Sequence, residues 1–126
     1  MDKSAEEFRE AVLDVIRFLA DPDEQRTFAS RVTYSDYSSE FFFWWFDDFD
    51  PETSLYRAAF SETELAALKS FAATYESSDR ELGQNDRSID DLLETPAWSR
   101  LVHAARRTVE AVALQPNQSL ERTRGE

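Results

Sequence analysis

Residues 40–50 read Glu40-Phe41-Phe42-Phe43-Trp44-Trp45-Phe46-Asp47-Asp48-Phe49-Asp50, seven aromatics in eleven positions. The wider stretch 34–60 holds eleven of the chain's seventeen aromatic residues. In helical register Phe42, Trp45, Phe46 and Phe49 share one face, Phe41 and Trp44 fall to one side, and Phe43 falls to another. A helix that is apolar nearly all round belongs in an interior. The segment is therefore expected to be the central helix of the fold.

The flanking sequence supplies helices to wrap it. Phe8, Val12, Val15, Ile16 and Leu19 recur at helical spacing, as do Leu65, Leu68, Ala72 and Tyr75, and then Trp98, Leu101, Val102, Ala105, Val109 and Val112. Each stripe has charged or small polar residues opposite, the pattern of an amphipathic helix. Helix-start signals recur between them. Ser4-Ala5-Glu6-Glu7 and Ser61-Glu62-Thr63-Glu64 read as capping boxes, with Ser88-Ile89-Asp90-Asp91 a weaker one. Asp21-Pro22, Asp50-Pro51 and Thr95-Pro96 each place a cap ahead of a proline at the first helical position. No stretch alternates with period two between hairpin dipeptides.

The expected fold is all-α, a compact bundle of about five to seven helices around the aromatic-rich one. Helices are expected over 5–20, 22–30, 38–48, 51–59, 62–80, 88–94 and 96–114. Segment 77–87 is the longest expected loop, with its first part able to extend the preceding helix. Residues 1–114 make one helical domain, a size usual for a single core. Residues 115–126 carry one large apolar residue, Leu120, and read as a disordered tail.

Composition narrows the function classes. The 126 residues include 26 acidic and 14 basic ones, a formal charge of −12, with no cysteine, one histidine and two glycines. Disulfide and thiolate chemistry are excluded. Gly83 and Gly125 lie too far apart for a glycine-rich phosphate loop. Free nucleic acid is a poor partner, because binding it needs Lys and Arg against the phosphates. Membrane binding is set aside too: no apolar run can span a bilayer, and the aromatics sit among Asp and Glu that anionic lipid repels. The acidic N-terminus is not a secretory signal, so a cytoplasmic location is expected. Arg outnumbers Lys twelve to two, a bias common in GC-rich bacterial genomes.

The charge is concentrated. Residues 36–64 carry Asp36, Glu40, Asp47, Asp48, Asp50, Glu52, Glu62 and Glu64 against Arg57 alone, and 76–94 carry seven acids against two bases. Capping accounts for Asp50, Glu64 and Asp91. It does not account for Asp47 and Asp48, which fall at a helix C-terminus, where the macrodipole disfavours carboxylates. A locally unfavourable charge directs attention to function.

Little else suggests chemistry. His103 has no second His or Cys to complete a zinc site and is expected to be an exposed helical residue. Asp47, Asp48 and Asp50 are oxygen ligands that suit Mg²⁺, without the spacing or glycine of an EF-hand loop. No cofactor and no catalytic residue is expected.

An acidic, helical, cysteine-free chain carrying Trp44-Trp45-Phe46-Asp47-Asp48-Phe49-Asp50-Pro51 resembles the immunity proteins of bacterial toxin systems. These include colicin-nuclease immunity proteins and the inhibitors of contact-dependent growth-inhibition toxins. The resemblance implies a non-catalytic inhibitor that neutralises a basic protein partner such as a nuclease toxin. Acidic charge would speed encounter with such a partner, and aromatic anchors would slow release. The expected contact residues are Tyr37, Glu40, Trp44, Asp47, Asp48, Asp50 and Glu52, with Trp44 and Tyr37 as the surface rings. The alternatives are a DNA-mimic inhibitor, and a small Mg²⁺-dependent enzyme or enzyme subunit using Asp47, Asp48 and Asp50. The chain is expected as a monomer or a weak homodimer, with self-association through 40–50 open.

Overall fold

In a computed structural model the described residues are 3–34, 36–47, 49–83 and 87–125, with side chains as far as Val112. They form seven helices in chain order: α1 (Lys3–Leu19), α2 (Pro22–Arg31), α3 (Tyr37–Phe46), α4 (Ser54–Ala59), α5 (Glu62–Leu82), α6 (Ile89–Glu94) and α7 (Pro96–Gly125). Among the described residues the one β-type pairing is an isolated bridge between Asp36 and Arg87.

Most helix starts lie where the caps predict. The Asp21 carboxylate accepts from the N–H groups of Asp23 and Glu24 ahead of α2. Ser61 and Glu64 close the reciprocal capping box of α5, Ser88 accepts from the Asp91 N–H, and Thr95 accepts from the Trp98 N–H. These contacts satisfy donors that a helix N-terminus leaves open. Two signals land differently. Ser4 lies inside α1, which begins at Lys3. Asp50-Pro51 forms a turn instead of a helix start: Asp50 accepts from the Glu52 N–H, the Thr53 N–H and the Thr53 hydroxyl. Thr53 then caps α4, which starts at Ser54.

The expected loop is shorter than 77–87. Residues 77–82 belong to α5, which stops at Gly83 with φ of 65°, a left-handed conformation that only glycine adopts without a Cβ penalty. The backbone of α7 continues as helix to Gly125, whereas the sequence puts its end near 114. The expected tail, 115–126, lies outside the described side chains.

Helix α7 packs along α5 on one side and α1 on the other; α4 lies on α1, and α2 on α1 and α6. Helix α3 sits against α1, α5 and α6. One core cluster runs from Ala5 to Val112 and includes Ile16, Phe41, Trp45, Leu68, Phe71, Tyr75, Leu92, Trp98 and Leu101. The residues of the three sequence stripes lie in this core or pack against it, apart from Ala72, which is buried outside the cluster. Burial of each large side chain contributes about 1.5–3 kcal/mol.

Two buried polar contacts join helices distant in sequence. Arg9 on α1 reaches Glu64 on α5 through two hydrogen bonds, of 3.0 and 2.8 Å. The same guanidinium donates to the carbonyls of Ala59 and Val112, each at 2.9 Å, and lies over the Phe60 ring. Gln25, fully buried on α2, donates to the Phe18 and Leu19 carbonyls at the end of α1 and accepts the Trp98 indole N–H from α7 at 3.0 Å.

Candidate partner-binding face

Helix α3 begins where Asp36 accepts from the backbone N–H and hydroxyl of Ser39 and from the Ser38 hydroxyl. Its buried stripe is Tyr37, Ser38, Phe41 and Trp45. Phe42, Phe46 and Phe49 are half-buried, so the expected Phe42–Phe46–Phe49 face is not the deepest one. A run with an aromatic at nearly every position has no apolar period to read. Packing against Phe18 and Trp98 selects Phe41, and packing against Phe71 selects Trp45.

The opposite face of α3 carries Glu40, Phe43, Trp44 and Asp47. Spacings of three and four residues place them together. Phe43 is 60% exposed and Trp44 39% exposed; with Leu55 they are the only exposed large hydrophobics among the described residues. Trp44 is braced from beneath, its ring 5.4 Å from Phe18, 5.0 Å from Phe28 and 5.0 Å from Phe41. It therefore projects as a held ring with little rotamer freedom to lose on binding.

Among the described residues the ion pairs use Glu10, Asp14, Asp23, Glu52, Glu64, Glu81 and Asp90, and neither Glu40 nor Asp47 belongs to one. Asp47 caps the C-terminus of α3, directly after Phe46, and is exposed, so its charge lies at the negative end of the helix dipole.

The other expected contact residues divide. Tyr37 is 6% exposed and donates its hydroxyl to the Val32 carbonyl, so it is a core residue and not a surface ring. An i, i+4 relation to Phe41 carries it into the buried stripe. Asp50 is exposed but ties the turn before α4. Glu52 is exposed and already engaged by Arg57 and Lys69, whose hydrogen bonds and charges hold its carboxyl below the usual range. Asp48 lies outside the described residues. The sequence reading does not select Phe43; the signal that finds it is its spacing, three residues after Glu40 and four before Asp47.

Beside Phe43 a groove of about 270 Å³ opens between α3 and the end of α5, lined by Ser39, Phe42, Phe43, Asp79, Arg80 and Gly83. Burial and the nearby charge of Asp36 push the Asp79 carboxyl up, partly offset by Arg80. Tyr75, one turn earlier on α5, is buried, and its hydroxyl has no hydrogen-bond partner among the described residues. Phe42 and Phe46 pack on the Tyr75 ring at 5.3 and 5.6 Å.

Among the described residues no three His, Cys, Asp or Glu side chains are grouped to hold a metal ion. His103 is exposed on α7. No described helix is long and apolar enough to cross a membrane. The chain matches no protein-family model, and comparison with curated proteins and with solved structures returns no match.

Proposed function

We propose that this protein is a non-catalytic binding protein of the inhibitor type, which engages a basic protein partner through the outer face of α3. The observation that carries this reading is the quartet Glu40, Phe43, Trp44 and Asp47. It combines two exposed rings with two carboxylates that belong to no ion pair among the described residues. Solvent-facing aromatics of this size are unfavourable unless something covers them. The surrounding charge selects a cationic partner and speeds its approach, to as much as about 10⁸–10⁹ M⁻¹s⁻¹ at low salt.

A basic nuclease fits that description, because a protein that binds polyanionic substrate presents a cationic surface. Neutralising such a nuclease is the role that immunity proteins play, and the acidic, helical character of this chain supports placing it with them.

The test is affinity capture from a lysate of the source organism on the immobilised full chain, at low and at moderate salt. Wild-type protein and the Glu40→Gln/Phe43→Ser/Asp47→Asn variant are compared. The reading expects a basic protein retained at both salts by wild type and lost by the variant. Equal retention by both proteins, or no basic protein retained, overturns it.

A further inference from the structure

A hollow of about 600 Å³ between α2 and α6 has its Arg26 already paired with Asp23 and Asp90. The smaller groove between α3 and the end of α5 offers instead a carboxylate, Asp79, that none of the described ion pairs engages and that Arg80 offsets only in part. Asp79 stands in the last turn of α5, at the negative end of the helix dipole, where the Leu82 carbonyl accepts from Arg87. It is partly buried and faces the field of Asp36, a carboxylate already committed to capping α3. It takes part in none of the described ion pairs. Three unfavourable features thus coincide at one residue, and local rules are broken in this way where function requires it.

We infer that this groove is an anchor subsite for a single arginine side chain of the basic partner, with the Asp79 carboxylate as its acceptor and the Phe43 ring as its wall. The inference rests on the proposed binding role of α3 and names the chemistry of one contact within it. A guanidinium is planar, stacks on an aromatic face and donates two parallel hydrogen bonds to a carboxylate. A volume of about 270 Å³ admits one long side chain and no more extended ligand. The carbonyl end of α5 adds a favourable field for a cation. Arg80, also on the wall, is exposed, and its guanidinium can remain in solvent while the groove is filled.

The site can be probed without the partner. The ¹⁵N-labelled full chain is titrated with N-acetyl-arginine methylamide and, separately, with the neutral isostere N-acetyl-citrulline methylamide. Amide signals are followed in wild type, Asp79→Asn and the remote control Glu7→Gln. The arginine compound is expected to move the Ser39 and Gly83 signals saturably, with Kd on the order of millimolar for a ligand this small. Citrulline should leave them in place, Asp79→Asn should weaken the arginine response at least roughly tenfold, and Glu7→Gln should not change it. Equal responses to both compounds, or an unchanged response in Asp79→Asn, overturn the subsite. Melting curves establish that Asp79→Asn is folded.

The capture experiment separates this inference from the reading beneath it. If Asp79→Asn retains the basic partner while Glu40→Gln/Phe43→Ser/Asp47→Asn loses it, the subsite is wrong and the role of α3 stands. If arginine occupies the groove but the α3 variant still captures the partner, the role of α3 is wrong and the groove is an arginine site that this partner does not use.

Discussion

Arg9 and Glu64, 55 residues apart, meet in a bidentate ion pair that the surrounding helices close off from water, with Glu64 only 5% exposed. Glu64 simultaneously accepts the Ser61 N–H in the capping box of α5. One carboxylate thus starts α5 and fastens it to α1, while the same guanidinium reaches the Ala59 and Val112 carbonyls on α4 and α7. Four helices converge on this pair.

Removing one partner of such a pair leaves a buried charge without compensation. Arg9→Met is expected to cost about 3–5 kcal/mol, measured by urea denaturation. Replacing both, as Arg9→Met/Glu64→Leu, should recover a large part of that loss, because the cost lies in the stranded charge more than in the missing attraction.

The pair also sets an acid limit. Burial by itself raises the Glu64 carboxyl; hydrogen bonds from Arg9 and Ser61, with the Arg9 charge, outweigh it and hold the carboxyl below its usual value. With the folded value below the unfolded one, the contribution is complete above the ordinary carboxylate range and is lost as pH falls through the folded value. Glu64→Gln should therefore be much less stable than wild type at pH 7. The gap should narrow progressively at acid pH, as read from melting curves across the range.

Asp79 titrates in the opposite sense. Its carboxyl is pushed up by burial and by Asp36, so ionisation at neutral pH opposes folding, and that penalty disappears once the carboxyl is protonated in both states. Asp79→Asn is expected to melt higher than wild type at pH 7 and at the same temperature in strong acid. A substitution that gains stability while losing an arginine contact is the pattern of a residue kept for function.

The buried Gln25–Trp98 contact gives a fourth check. Trp98→Phe keeps most of the ring volume but leaves the Gln25 carbonyl oxygen without its indole donor. The expected loss is about 1–3 kcal/mol, the desolvation cost of one unsatisfied buried group.

The fold was largely legible because local signals agreed with one another. Caps at Asp21, Ser61, Ser88 and Thr95 and three amphipathic stripes place most helices within a few residues of where they stand. The rest depended on distant contacts. Arg9 looks like any surface charge until α5 brings Glu64 to it. The orientation of α3 was hidden because aromatics occupy nearly every position, so only packing against Phe18, Phe71 and Trp98 decides which rings face inward. The exposure of Trp44 could be read from sequence. Tyr37 was misplaced for the same lack of period, and Asp79 has no local signature: its environment is made by Asp36, 43 positions earlier.

The two exposed rings should respond differently to removal. Phe43→Ser is expected to change stability by less than about 0.5 kcal/mol, the usual range for a surface position. Trp44→Ala should cost about 1–2 kcal/mol, since it abandons ring contacts with Phe18, Phe28 and Phe41. Chemical denaturation of the two variants beside wild type measures both.

The most direct measurement is the association rate of the captured basic partner with wild type and with Glu40→Gln/Asp47→Asn, from roughly 50 to roughly 300 mM salt. If the outer face of α3 steers the encounter, the wild-type rate falls by about tenfold or more across that range. The variant then associates more slowly at low salt, with a visibly flatter dependence. Identical rates and identical salt slopes for the two proteins would contradict the assignment of this face.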